Sequence, residues 1–132
     1  MNFLSNKKLR KFRLKGIKVN KKKLNFGFYG LIALETGRLD LLVFKSFTTI
    51  LKQKIKIHRG KIWFYLNNSI PVTQIPIGTR MGKGKGSISK HIAFVRKGQI
   101  LCEISLSDQK VAFGILKIAS SKLPIKARIV TY

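Results

Sequence analysis

Acidic side chains are scarce in this chain. Glu35, Asp40, Glu103 and Asp108 stand against 28 lysines and arginines, leaving a formal charge of +24 on 132 residues. That scarcity argues against acid/base catalysis, which needs positioned titratable groups. Asp40 and Asp108 precede expected helices, and Glu35 and Glu103 have no evident catalytic companion, so no enzyme is expected. Cysteine occurs once, which excludes an intramolecular disulfide and a multi-cysteine zinc site. Cys102 stands in the alternating stretch Ile100-Leu101-Cys102-Glu103-Ile104, where a small buried hydrophobe is expected rather than a nucleophile. The two histidines, His58 and His91, have no carboxylate or cysteine at ligand spacing, so neither a metal nor a cofactor is expected. Long apolar runs are missing too. The longest candidate, 39–51, is broken by Asp40 and Lys45 and falls short of the roughly 18 to 20 residues that a membrane span needs.

What is present is a core former with basic appendages. Hydrophobic residues make up 45% of the chain and include nine phenylalanines, enough for one modest core and one domain. Residues 1–23 form a basic arm carrying Lys7, Lys8, Arg10, Lys11, Arg13, Lys15, Lys18, Lys21, Lys22 and Lys23, with no carboxylate. The arm lacks the apolar block of a secretory signal, and it is mostly Lys where a transit peptide favours Arg and Ser. It is therefore expected to be a mature segment that orders on nucleic acid.

Residues 24–132 read as a single α+β domain. The pattern predicts a strand over 24–34, with Gly27 and Gly30 marking a bulge or close backbone approach. A helix over 41–54 is expected after an Asp40 cap, with Lys45, Lys52 and Lys56 on its polar face. Further strands are expected over 62–66, 91–96 and 99–105, the last two joined tightly at Lys97-Gly98. Ser107 is expected to cap a second helix reaching Lys122, with a stripe of Val111, Ile115, Ile118 and Ala119. Pro124 stops it, and 125–130 alternates like a closing strand. The expected architecture is a small mixed or antiparallel sheet with two helices, a basic arm and a long Gly/Lys loop over 77–89. In the alternating 62–66 strand, Trp63 and Tyr65 are expected to pack in the core rather than to stack on bases.

That loop carries Arg80-Met81-Gly82-Lys83-Gly84-Lys85-Gly86. Glycines allow positive φ and close approach of backbone N–H groups to a polyanion, while the three cations add charge-assisted contacts. A nucleotide-binding P-loop is excluded by spacing: Thr79 and Ile77 stand where its first glycine belongs, and glycine follows each lysine where Ser or Thr is required. The strict alternation of Gly82, Gly84 and Gly86 also departs from the dinucleotide-binding pattern. Neither helix joins a continuous basic face to a large apolar one, so no membrane partner is expected. A polyanionic partner follows from the charge, because so basic a globule repels itself when free.

Several blocks in order, Lys11-Phe12-Arg13, Phe26-Gly27, Gly60-Lys61-Ile62-Trp63, Pro71-Val72-Thr73, the seven-residue loop and Lys122-Leu123-Pro124-Ile125-Lys126, resemble the bacterial-type large-subunit ribosomal protein sixteen family over about 9–130. The resemblance implies an α/β hammerhead-like α+β fold packed on large-subunit ribosomal RNA. It also implies an arm threaded between RNA helices, and the loop Arg80, Met81, Gly82, Lys83, Gly84, Lys85 and Gly86 directed at transfer RNA near the peptidyl-transferase region. Ribosomal RNA contact is expected from the ten arm cations together with Arg59 and Lys61. The expected partners are ribosomal RNA, transfer RNA and neighbouring ribosomal proteins, with no homo-oligomer. A free architectural protein that compacts DNA is the alternative reading. With 21 Lys against 7 Arg, many Ile, Phe and Asn and few Ala, the composition resembles AT-rich coding. The expected compartment is the mitochondrial ribosome, organelle-encoded, ahead of a plastid or an AT-rich bacterium.

Overall fold

The computed structural model describes residues 7–8, 24–66 and 70–132. Seven strands and two helices follow in the order β1 (Tyr29–Ala33), β2 (Gly37–Asp40), α1 (Leu41–Ile57), β3 (Lys61–Phe64), β4 (Ile70–Gln74), β5 (Ser87–Val95), β6 (Ile100–Ser105), α2 (Gln109–Ser120) and β7 (Ala127–Thr131). The fold is α+β, with a four-stranded sheet ordered β3-β6-β1-β7 and a three-stranded sheet ordered β2-β5-β4. Every pairing is antiparallel.

Both helices cover one face of the four-stranded sheet. On α1, Phe47, Leu51 and Ile55 recur at four-residue steps and are buried; on α2, Ala112, Ile115, Leu116 and Ala119 do the same. They meet Leu31, Ala33, Cys102 and Ile104 of the four-stranded sheet and Leu39, Ala93 and Val95 of the other, so one cluster joins both sheets. Phe44 and Phe47 each meet Phe64 edge-on at 6.2 Å, and Tyr29 meets Phe113 at 5.9 Å. Each fully buried large side chain of this cluster contributes about 2 kcal/mol. Lys45, Lys52 and Lys56 point outward from α1, as its period predicts. Among the described residues, no helix is long and apolar enough to cross a membrane.

The structure corrects several boundaries. There are two sheets rather than one, because β2 and β4 are strands that the sequence pattern does not predict: β2 runs into Asp40, expected only as a helix cap, and β4 contains Pro71. Both pair with β5, which begins at Ser87 and shortens the expected loop to residues 75–86. Residues 24–28 precede β1 instead of belonging to it. Asp40 sits at the start of α1 but makes no capping bond. Its Oδ2 takes the Lys90 ammonium at 2.8 Å, since Asp40 pairs with Ile92 and Lys90 lies two residues away on the same face of β5. Asp108, not Ser107, caps α2: its Oδ1 accepts from the N–H groups of Lys110 (2.9 Å) and Val111 (3.5 Å). Along α2 the buried stripe turns toward Ala112 and Leu116, leaving Ile118 exposed. The tight Lys97-Gly98 connection holds, with Gly98 at φ 82°.

Candidate nucleic-acid interface

The β4–β5 hairpin ends in a finger, residues 75–86, that carries the Gly/Lys run. Gly82 (φ 86°) and Gly84 (φ 76°) hold the left-handed backbone that glycine adopts freely, whereas Gly86 does not. Arg80, Lys83 and Lys85 are exposed, and Ile77 and Met81 stand fully in solvent beside them. Between Arg80, Lys83 and the finger backbone lies a concavity of about 360 Å³. Composition pointed to the cations but not to the apolar knobs Ile75 and Ile77, whose exposure follows from their place beyond the end of β4. Near the finger's root, the Lys8 ammonium donates to the Lys85 carbonyl oxygen at 3.0 Å, joining the start of the arm to the finger.

Of the other expected RNA contacts, Lys7 and Lys8 are exposed, while Arg10, Lys11, Arg13, Lys15, Lys18, Lys21, Lys22 and Lys23 lie outside the described residues. Arg59 and Lys61 flank the turn that ends α1. There the N–H of Arg59 reaches the Lys56 carbonyl (3.2 Å) and that of Gly60 reaches Ile55 (3.1 Å), a Schellman closure. Its left-handed position is filled by Arg59 at φ 52°, where glycine is the usual choice. The cation is thereby held exposed at a sharp corner.

Each of the four carboxylates is engaged within the fold. Asp40 pairs with Lys90, Glu35 with Lys126 at 3.2 Å, Asp108 caps α2, and Glu103 is fully buried. Glu103 accepts backbone N–H bonds from Asn25 (3.1 Å), Phe26 (2.8 Å) and Gly27 (2.9 Å), which fasten 25–27 across the sheet face opposite the helices. On the same face the Leu24 side chain fills the space that a Cβ on Gly30 would need. Burial opposes charge on Glu103, but the N–H groups of Phe26, Gly27 and Asn25, with the nearby Tyr65 hydroxyl, outweigh it and hold the carboxyl below its ordinary range. The buried Tyr65 hydroxyl has no hydrogen bond of acceptable geometry among the described residues. Burial, and then the charge of Glu103, push that phenol up. Cys102, on the core side of the strand, is buried as expected; desolvation foremost pushes its thiol to about 12, leaving no thiolate for chemistry at neutral pH.

Trp63 departs from its expected role. It pairs with Glu103 in register and therefore lies on the face away from the helices, half-buried, with the Phe26 ring stacked on it at 5.7 Å and 25° between planes. Tyr65 is likewise only half-buried. The separation of 37 positions between Phe26 and Trp63 hid this pairing from any local pattern.

Comparison with known proteins agrees with the sequence blocks. The family model described as Ribosomal protein L16p/L10e matches residues 4–130. The large ribosomal subunit protein uL16 of Buchnera aphidicola subsp. Cinara cedri is 38% identical over 126 residues, covering 95% of this chain and 90% of that protein. Its counterpart in Wigglesworthia glossinidia brevipalpis is 37% identical, covering 94% and 90%, and that of Corynebacterium diphtheriae is 37% identical, covering 87% and 83%. These relatives are bacterial, in keeping with a bacterial-type sequence. With nearly the whole domain matched at this level, the chain belongs to the ribosomal protein L16p/L10e family.

Proposed function

We propose that the chain is a non-catalytic structural constituent of the large ribosomal subunit, holding ribosomal RNA through its arm and the Arg59–Lys61 corner and presenting the finger to transfer RNA. The observation that carries this reading is the finger itself: three exposed cations on a glycine backbone, with no carboxylate anywhere from residue 75 to 86. Such a surface suits a phosphate backbone and carries little base selectivity. Asp40 and Glu35 offset Lys90 and Lys126 at the surface, but four carboxylates leave most of the 28 cations unbalanced. Ribosomal RNA and neighbouring ribosomal proteins are the partners, and the chain acts as a single copy within its particle. The mitochondrial ribosome is the proposed compartment, on the Lys-rich, AT-biased composition.

The test is to build particles with Arg80, Lys83 and Lys85 replaced together by alanine. These side chains are exposed, so assembly should proceed. Transfer RNA should then bind more weakly, most visibly as salt is raised. Particles that bind and accommodate transfer RNA like the wild type would remove the finger from this role.

A further inference from the structure

The sheet face away from the helices has features that phosphate binding leaves unexplained. Register places Trp63, Glu103, Gly30 and Val130 side by side on that face, and two-residue alternation adds Lys61 and Arg128 to it. Glu103 and Leu24 close its centre. Beside them Phe26 remains 65% exposed, although its own backbone N–H is pinned at 2.8 Å to the buried carboxylate. An aromatic ring held in place, backed by a second ring at 5.7 Å and still open to water, has apolar surface that the fold does not use. Lys61 and Arg128 are both exposed, at opposite corners of this face, and the carboxylate at its centre, Glu103, is out of reach beneath residues 25–27.

We infer that Phe26, backed by Trp63, is a base-stacking platform that takes an unpaired RNA base, with Lys61, two residues along β3 from Trp63, beside it for an adjacent phosphate and Arg128 on the opposite edge strand for a phosphate farther along the chain. A planar π-system extends the existing near-parallel stack, and unstacked bases in RNA loops and bulges are what aromatic side chains on sheet faces commonly receive. The pairing of an aromatic surface with cations fits a nucleotide better than an apolar protein face, which would leave Lys61 and Arg128 without counter-charges. Glu103 is the positioning residue: by fixing 25–27 it sets Phe26 over Trp63 before any ligand arrives. This inference rests on the RNA-binding reading above and adds a base-dependent component to it.

Trp63 is the chain's sole tryptophan, so its emission reports on the platform directly. The full chain is titrated at fixed moderate salt with an eight-nucleotide oligoadenylate and with an abasic ribose-phosphate oligomer of equal charge. The expected result is that the adenylate changes Trp63 emission and binds about tenfold more tightly than the abasic chain. Phe26→Leu should lose most of that tenfold while binding the abasic oligomer as before, and Phe26→Tyr should restore it. Because Phe26 is mostly exposed, thermal unfolding of these variants checks that the fold is intact. Equal affinities with unmoved emission overturn the platform but leave phosphate binding standing. Failure to bind either oligomer overturns the RNA reading and the platform with it. Emission that responds only to a purified neighbouring ribosomal protein assigns this face to a protein contact and also overturns the platform.

Discussion

At the scale of single residues, Glu103 and Cys102 show how two neighbours on one strand are put to opposite uses by the face they occupy. Glu103 is charged because three backbone donors surround it, and removing it strands those donors under Leu24 and Phe26. Glu103→Ala should therefore destabilise the domain by on the order of 2–3 kcal/mol in denaturant unfolding, whereas Glu103→Gln, which keeps an acceptor oxygen, should lose less. The pH dependence follows from the direction of the shift. A carboxyl held lower in the folded chain than in the unfolded one contributes stability that is complete above the unfolded value, and this is lost as pH falls through the depressed folded value. The wild type should lose stability in acid below the ordinary glutamate range, and Glu103→Gln should lose measurably less over the same interval. An identical acid profile in the two proteins would show that Glu103 carries no such linkage. Cys102, with its thiol near 12 and no exposure, should resist a thiol reagent at pH 8 until the domain unfolds, so that labelling follows global opening.

At the scale of elements, the turn that ends α1 sets stability against presentation of charge. Arg59 occupies the left-handed position of a Schellman closure, a conformation that costs a non-glycine residue about 1–2 kcal/mol. Arg59→Gly should raise stability by about 1 kcal/mol in denaturant unfolding and at the same time weaken RNA binding. If stability rises with no change in affinity, Arg59 is only a strained corner. The same elements show what sequence could convey. Helices α1 and α2 were legible because their apolar residues recur at three and four over many turns, and the β5–β6 turn was legible from Lys97-Gly98. Strands β2 and β4 were not, being four and five residues long and punctuated by glycine or proline that local rules assign to turns. The cations of the finger could be read directly. The Glu103 anchor could not, because its partners lie 76 to 78 residues away; the one available signal was a carboxylate in the middle of an otherwise apolar strand.

At the scale of the whole molecule, salt acts in two opposed ways. The charge of +24 repels itself in the isolated fold, and screening relieves that repulsion; the same screening weakens attraction to RNA. Thermal stability of the free chain should rise between low and moderate salt over the range in which RNA affinity falls. The size of that fall assigns the work between arm and domain. Each phosphate neutralised contributes about 0.7 to 0.9 to the slope of log affinity against log salt, the lower figure for single strands and the higher for duplex. The arm carries ten of the 28 cations. If all ten meet phosphates, replacing them by glutamine flattens the slope by roughly seven to nine and leaves the base-dependent component at Phe26 in place. A change of two or three would assign most of the electrostatic contact to the folded domain, through the finger and the Arg59–Lys61 corner. An unchanged slope, measured in titrations on the same ribosomal RNA fragment, would leave the arm without an electrostatic part in binding.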